Sequence, residues 1–66
     1  MYKRVEGQMV IAGISKKILA QKLGIGYTTL LQKMNGSSAF TLDEALEIKK
    51  IINSTEPIEM LFNRSA

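Results

Sequence analysis

This chain of 66 residues contains neither cysteine nor histidine. That excludes a disulfide, a zinc site of the usual thiolate or imidazole kind, a cysteine nucleophile and a serine–histidine pair. Nothing covalent staples a chain this short, so it must hold by packing alone or by packing plus a partner subunit. Proline occurs once, and there is no repeat or low-complexity run. No apolar run approaches the roughly 20 residues that a membrane-spanning helix needs. The segment from Met1 to Val10 carries Lys3, Arg4 and Glu6, so it lacks the apolar core of a signal peptide. One soluble intracellular domain over residues 1–66 is the expectation.

Acidic residues are scarce at the start. Residues 1–40 hold Lys3, Arg4, Lys16, Lys17, Lys22 and Lys33 against Glu6 alone, a net of +5. Residues 41–66 hold Lys49, Lys50 and Arg64 against Asp43, Glu44, Glu47, Glu56 and Glu59, a net of −2. A basic half beside an acidic half fits one face turned to a polyanion. Uneven charge is also common in short chains, so the split does not by itself mean nucleic acid.

No strand-like alternation persists anywhere. What recurs at short intervals is the start and stop of helices. The spacing predicts an all-α, compact bundle of five short helices. The first covers Tyr2 to Ala12, with Val5, Met9 and Ala12 as its apolar stripe, and stops at Gly13. Ser15 caps a second over Lys16 to Leu23, which buries Leu19, Ala20 and Leu23 and ends at Gly24. Ile25 plugs the corner. A third runs from Tyr27 to Asn35, with Leu30 and Met34 inward and Thr28 and Gln32 on another, polar face.

Thr41 and Glu44 have the spacing of a capping box, which opens a fourth helix over Leu42 to Ile52. Leu42, Ala45, Leu46, Ile48, Ile51 and Ile52 give that helix a wide apolar arc suited to the centre of the bundle. Phe40 is placed to staple it against Ala45 or Leu46. Asn53, Ser54 and Thr55 break it, and Pro57 belongs in the first turn of a short last helix that packs Ile58, Leu61 and Phe62. The tail 63–66 is expected to fray.

The segment from Ser15 to Gly36 carries the functional signal. A short helix, a glycine-led corner and a second short helix are the unit with which many proteins present a helix to the DNA major groove. The run SKKILAQKLGIGYTTLLQKMNG resembles, without gaps, the helix-turn-helix of phage repressor and Cro-like proteins. The resemblance rests on Ser15, Leu19-Ala20, Leu23-Gly24-Ile25 and Asn35-Gly36, and continues through FTLDEALEIKKI and IEMLF.

That resemblance implies both a fold and a function. The fold would be the lambda-repressor-like bundle, with the helix-turn-helix unit at about 15–36. The chain would bind double-stranded DNA at a near-palindromic operator and regulate transcription in the cytoplasm of a bacterial host. Tyr27, Thr28 and Gln32 would read bases, a carboxamide such as that of Gln32 suiting the adenine edge. Ser15, Lys16, Lys33, Ser37 and Ser38 would hold the phosphate backbone. The chain departs from the pattern at Gly26, where a serine or threonine cap is common. Ile18 and Leu31 also depart, standing where polar residues are usual, either as an interaction surface or as extra core. At Lys33-Met34 the reading is Met34 buried and Lys33 on a phosphate.

Other readings stand beside these. Tyr27 suits a half-buried edge as well as a base contact. Lys17, Lys22, Lys49 and Lys50 read as solvated helix faces. Gly24-Ile25-Gly26 lacks the preceding strand and third glycine of a dinucleotide site. Asp43, Glu44 and Glu47 are helix-start residues rather than a catalytic pair, and the methionines read as core filler. No nucleophile–base or metal-ligand set is visible, so no enzyme, cofactor, metal, membrane or small-molecule partner is expected.

Surplus apolar residues near the end, Ile51 and Met60 among them, suggest a weak two-fold homodimer through the C-terminal helices. The other outcome is a monomer that pairs only on DNA. A different class of function on the same scaffold is a protein-binding module, such as an anti-repressor or an antitoxin-like partner.

Overall fold

Gly13 and Gly24 turn the chain at the two corners that shape its first half. Both sit in the left-handed region, at φ 71° and 73°, and donate their N–H groups back to the last carbonyls of the helices they close. The computed structural model describes residues 2–63. Its elements are α1 (Lys3–Ala12), α2 (Lys16–Leu23), α3 (Tyr27–Met34), α4 (Leu42–Ile51) and α5 (Ile58–Leu61). The described residues contain no strand. The fold is a compact all-α bundle, with a radius of gyration of 10.5 Å, close to the ~11 Å expected for a chain this long.

α2 packs against both α3 and α4, while α5 closes the bundle against α1 and α4. The core is Tyr2, Val5, Met9, Leu19, Ala20, Leu30, Met34, Ile48, Ile52 and Leu61. Leu23, Ile25, Phe40, Ile51 and Phe62 pack against it from the sides. Ser54 is the one buried polar residue among those described. Its hydroxyl accepts the Glu56 N–H at 3.1 Å. No buried side-chain polar atom among the described residues is left without a partner.

Several expectations are corrected. Ala12 is exposed, and the buried stripe of α1 is Val5 and Met9, continued by the cap residue Tyr2. α3 ends at Met34 with Asn35 as its cap, and α4 ends at Ile51 with Ile52 as its cap. α5 starts at Ile58, with Pro57 at the cap position rather than in the first turn. Leu42 and Leu46 point outward, so the buried face of α4 is the single stripe Ala45, Ile48 and Ile52. At about 100° per residue, Leu42 falls roughly a quarter-turn and Leu46 roughly a third of a turn from that stripe.

Phe40 joins Tyr2 and Phe62 in a triangle of edge-to-face rings, with centroids 5.2, 5.7 and 5.4 Å apart. Such pairs gain from the ring quadrupoles beyond area burial alone. The triangle ties the chain start, the loop before α4 and the end of α5 together. Of the tail expected to fray, residues 64–66 lie outside the described residues. Asn63 is described, and its N–H donates to the Met60 carbonyl.

Candidate nucleic-acid interface

The unit formed by α2, the Gly24–Gly26 corner and α3 is built by local rules. Ser15 is extended, and its Oγ accepts the Ile18 N–H at 3.2 Å, which satisfies one free donor of the first turn. At the far end Ile25 donates to the Ala20 carbonyl at 3.1 Å, closing α2 in a left-handed cap. Gly26 caps α3 without a side chain. The open space around its missing Cβ leads only to Thr29 Oγ1, at 3.7 Å.

α3 buries Leu30 and Met34. With about 100° per residue, Gln32 then lies directly opposite the core, with Thr28 and Thr29 on either side of it. All three are exposed. Tyr27, in the first turn of α3, is 49% exposed. Of the expected reading residues, Thr28 and Gln32 thus share one accessible surface, while helical phase turns Tyr27 toward the Met34 side, about 140° from Gln32. Thr29 belongs to the same surface without being among the expected reading residues, although the phase set by Leu30 and Met34 already places it there.

The flanking cations divide into free and engaged. Lys17 and Lys22 on α2 are exposed and form no ion pair among the described residues. Lys16, at the first position of α2, is partly exposed, with its Nζ 3.8 Å from Glu6 Oε1. Lys33 is engaged. Its Nζ lies 3.1 Å from Glu44 Oε1 and donates to the Ala39 carbonyl at 3.0 Å, with its side chain only 14% exposed. The expected phosphate contact at Lys33 is corrected accordingly: this ammonium staples α3 to the start of α4. Met34 is buried as expected.

Ser37 and Ser38 are exposed, but their backbone N–H groups are not available to a phosphate. Both donate to the Gln32 carbonyl, at 2.9 and 3.2 Å, and Ser37 N–H also reaches Asn35 Oδ1 at 3.0 Å. Only their hydroxyls remain to be offered. Gly36, at φ 90°, makes the sharp turn that allows these bonds.

The loop after α3 is fixed by the capping box. Thr41 Oγ1 accepts the Glu44 N–H at 3.1 Å, and Glu44 Oε1 accepts the Thr41 N–H at 2.9 Å. The bond from the Thr41 backbone, with Lys33 adding to it, holds the Glu44 carboxyl below its ordinary value of 4.5 against the opposing effect of burial.

Two further surfaces border the unit. Ile18 is exposed, while Leu31 is half-buried in a groove of about 280 Å³ shared with Glu6, Lys16, Met34 and Asn35. Phe40, Leu42, Ala45, Ile58 and Phe62 line a second groove of about 400 Å³. Met60, Leu42 and Leu46 are exposed apolar residues. No group of three or more possible metal ligands occurs among the described residues. No helix among them is long and apolar enough to cross a membrane. No protein-family model, curated protein or solved structure matches the chain.

Proposed function

We propose that this chain is a sequence-specific double-stranded-DNA-binding regulator of the phage repressor or Cro-like kind, without catalysis, that places α3 in the major groove. The observation that carries the reading is the outward face of α3. Thr28, Thr29 and Gln32 are neutral hydrogen-bonding side chains on an exposed helical surface, which is what base-edge recognition requires. Lys17 and Lys22 are exposed on the neighbouring α2, with no ion pair among the described residues, and Lys16 opens that helix. Phosphates are held by Lys16, the Ser15 cap region and the hydroxyls of Ser37 and Ser38. Lys33 serves instead to position the loop that carries those serines.

The reading includes a weak two-fold dimer on a near-palindromic site, formed through the C-terminal helices. Leu42, which lines the 400 Å³ groove, and Leu46 and Met60 are exposed apolar residues of α4 and α5. An antiparallel meeting of two α4 helices sets Asp43 in the first turn of one copy against Lys49 and Lys50 in the last turn of the other, a complementary arrangement of charge.

The second reading, a protein-binding module of the anti-repressor or antitoxin-like kind, is favoured by one observation. Val10 and Ile11 on α1 are 80% and 79% exposed, and exposed apolar clusters mark partner sites. Salt separates the two readings. Under the DNA reading the parent binds random duplex with an affinity that falls steeply with salt. Lys16→Ala then weakens all duplexes alike and flattens the slope of log K against log salt by about one unit. A fluorescence-anisotropy titration measures both. An unchanged slope removes Lys16 from the interface, and the absence of duplex binding leaves the partner reading.

A further inference from the structure

Glu6 is the only acidic residue among the first 40, and the fold sets it against a cation on which the DNA reading depends. Its Oε1 lies 3.8 Å from Lys16 Nζ, with the two side chains 43% and 38% exposed. The pair shares its groove with Leu31, Met34 and Asn35 of the α3 region. A carboxylate from α1 therefore reaches the margin of the candidate reading surface. There it attracts the ammonium that a phosphate oxygen would otherwise draw.

We propose that Glu6 is an intramolecular competitor for Lys16, holding its ammonium in the free protein and lowering the affinity for every duplex until a phosphate displaces it. The inference rests on the DNA reading above. Two partly exposed charges at this distance attract each other weakly, which corresponds to roughly a two- to five-fold change in a binding constant. Glu6 thus trims binding and does not block it. The trim falls on the backbone contacts, which are independent of sequence, and leaves the base contacts of α3 untouched. Its consequence is that a small basic protein is titrated less by random duplex.

The test is a double-mutant cycle on random-sequence duplex, with the parent, Glu6→Gln, Lys16→Ala and the double variant, each at low and at moderate salt. Glu59→Gln on α5 serves as a control that changes the net charge by the same amount. Thermal melts confirm that all variants are folded. Glu6→Gln is expected to tighten binding two- to five-fold at low salt and less at higher salt. The gain should vanish in the Lys16→Ala background, and Glu59→Gln should give a smaller one.

No gain from Glu6→Gln overturns the inference. So does an equal gain without Lys16, which would mark general repulsion of DNA, and so does an equal gain from Glu59→Gln, which would mark net charge alone. Salt-sensitive binding by the parent separates any of these failures from a failure of the DNA reading. If no variant binds duplex at all, that reading falls and this inference falls with it.

Discussion

Gln32 stands opposite the two buried side chains of α3, Leu30 and Met34, so it reaches farther from the bundle than its neighbours. A carboxamide there can pair with an adenine edge through one donor and one acceptor. Gln32→Ala is expected to cost roughly 1–3 kcal/mol on the preferred site and little on random duplex. Competition titrations with both duplexes read this out. An equal loss on both would make Gln32 a positioning residue.

For single residues the sequence is a good guide wherever helical phase decides. Leu30, Met34, Leu19 and Ala20 are buried as their spacing indicates. Phase does not reveal what a long side chain meets across the fold. Lys33 looks free in sequence, but its partners Glu44 and the Ala39 carbonyl belong to the next element. Glu6 and Lys16 are ten positions apart on two helices, and only the corner at Gly13 brings them together.

The start of α4 is the best-defined element boundary. Thr41 and Glu44 satisfy each other's N–H groups, and Lys33 adds a charge from α3. The Glu44 carboxyl is held below its ordinary value of 4.5, first by the Thr41 backbone bond. Its ionised form therefore stabilises the fold in full above about pH 4.5, and that contribution is lost as the pH falls through the lower folded-state value. Glu44→Gln keeps an acceptor for the Thr41 N–H but loses the charge that faces Lys33 and the helix start, and is expected to lower stability at neutral pH by roughly 0.3–1 kcal/mol. The variant should then lose less stability than the parent between pH 5 and strong acid. Denaturant melts at stepped pH check this, and parallel acid limbs for the two proteins would contradict it.

The caps at Gly13, Ser15, Gly24 and Thr41 are legible in the sequence because each acts within four residues. The ring triangle of Tyr2, Phe40 and Phe62 is not. It joins residues from both ends of the chain, and no local period encodes such a meeting.

For the molecule as a whole, the exposed apolar residues near the C-terminal end and the candidate reading surface belong to different elements. Leu42 and Leu46 stand on α4 and Met60 on α5, whereas Thr28, Thr29 and Gln32 stand on α3. A two-fold contact through the first set leaves both α3 helices free, and one DNA turn, ~34 Å, is the separation that such dimers span. Sedimentation over a wide concentration range is expected to show a weak monomer–dimer equilibrium that Leu46→Glu abolishes. A strict monomer at high micromolar concentration, binding as one copy per site, would rule the dimer out.

If α3 reads base sequence, the protein must choose among duplexes, and selection of bound duplexes from a random pool measures that choice. The expected outcome is enrichment of a short, near-palindromic site whose half-sites are one helical turn apart, with information at the positions α3 faces. A pool that stays random after repeated selection, under salt conditions where the protein still binds duplex, would contradict base reading by α3.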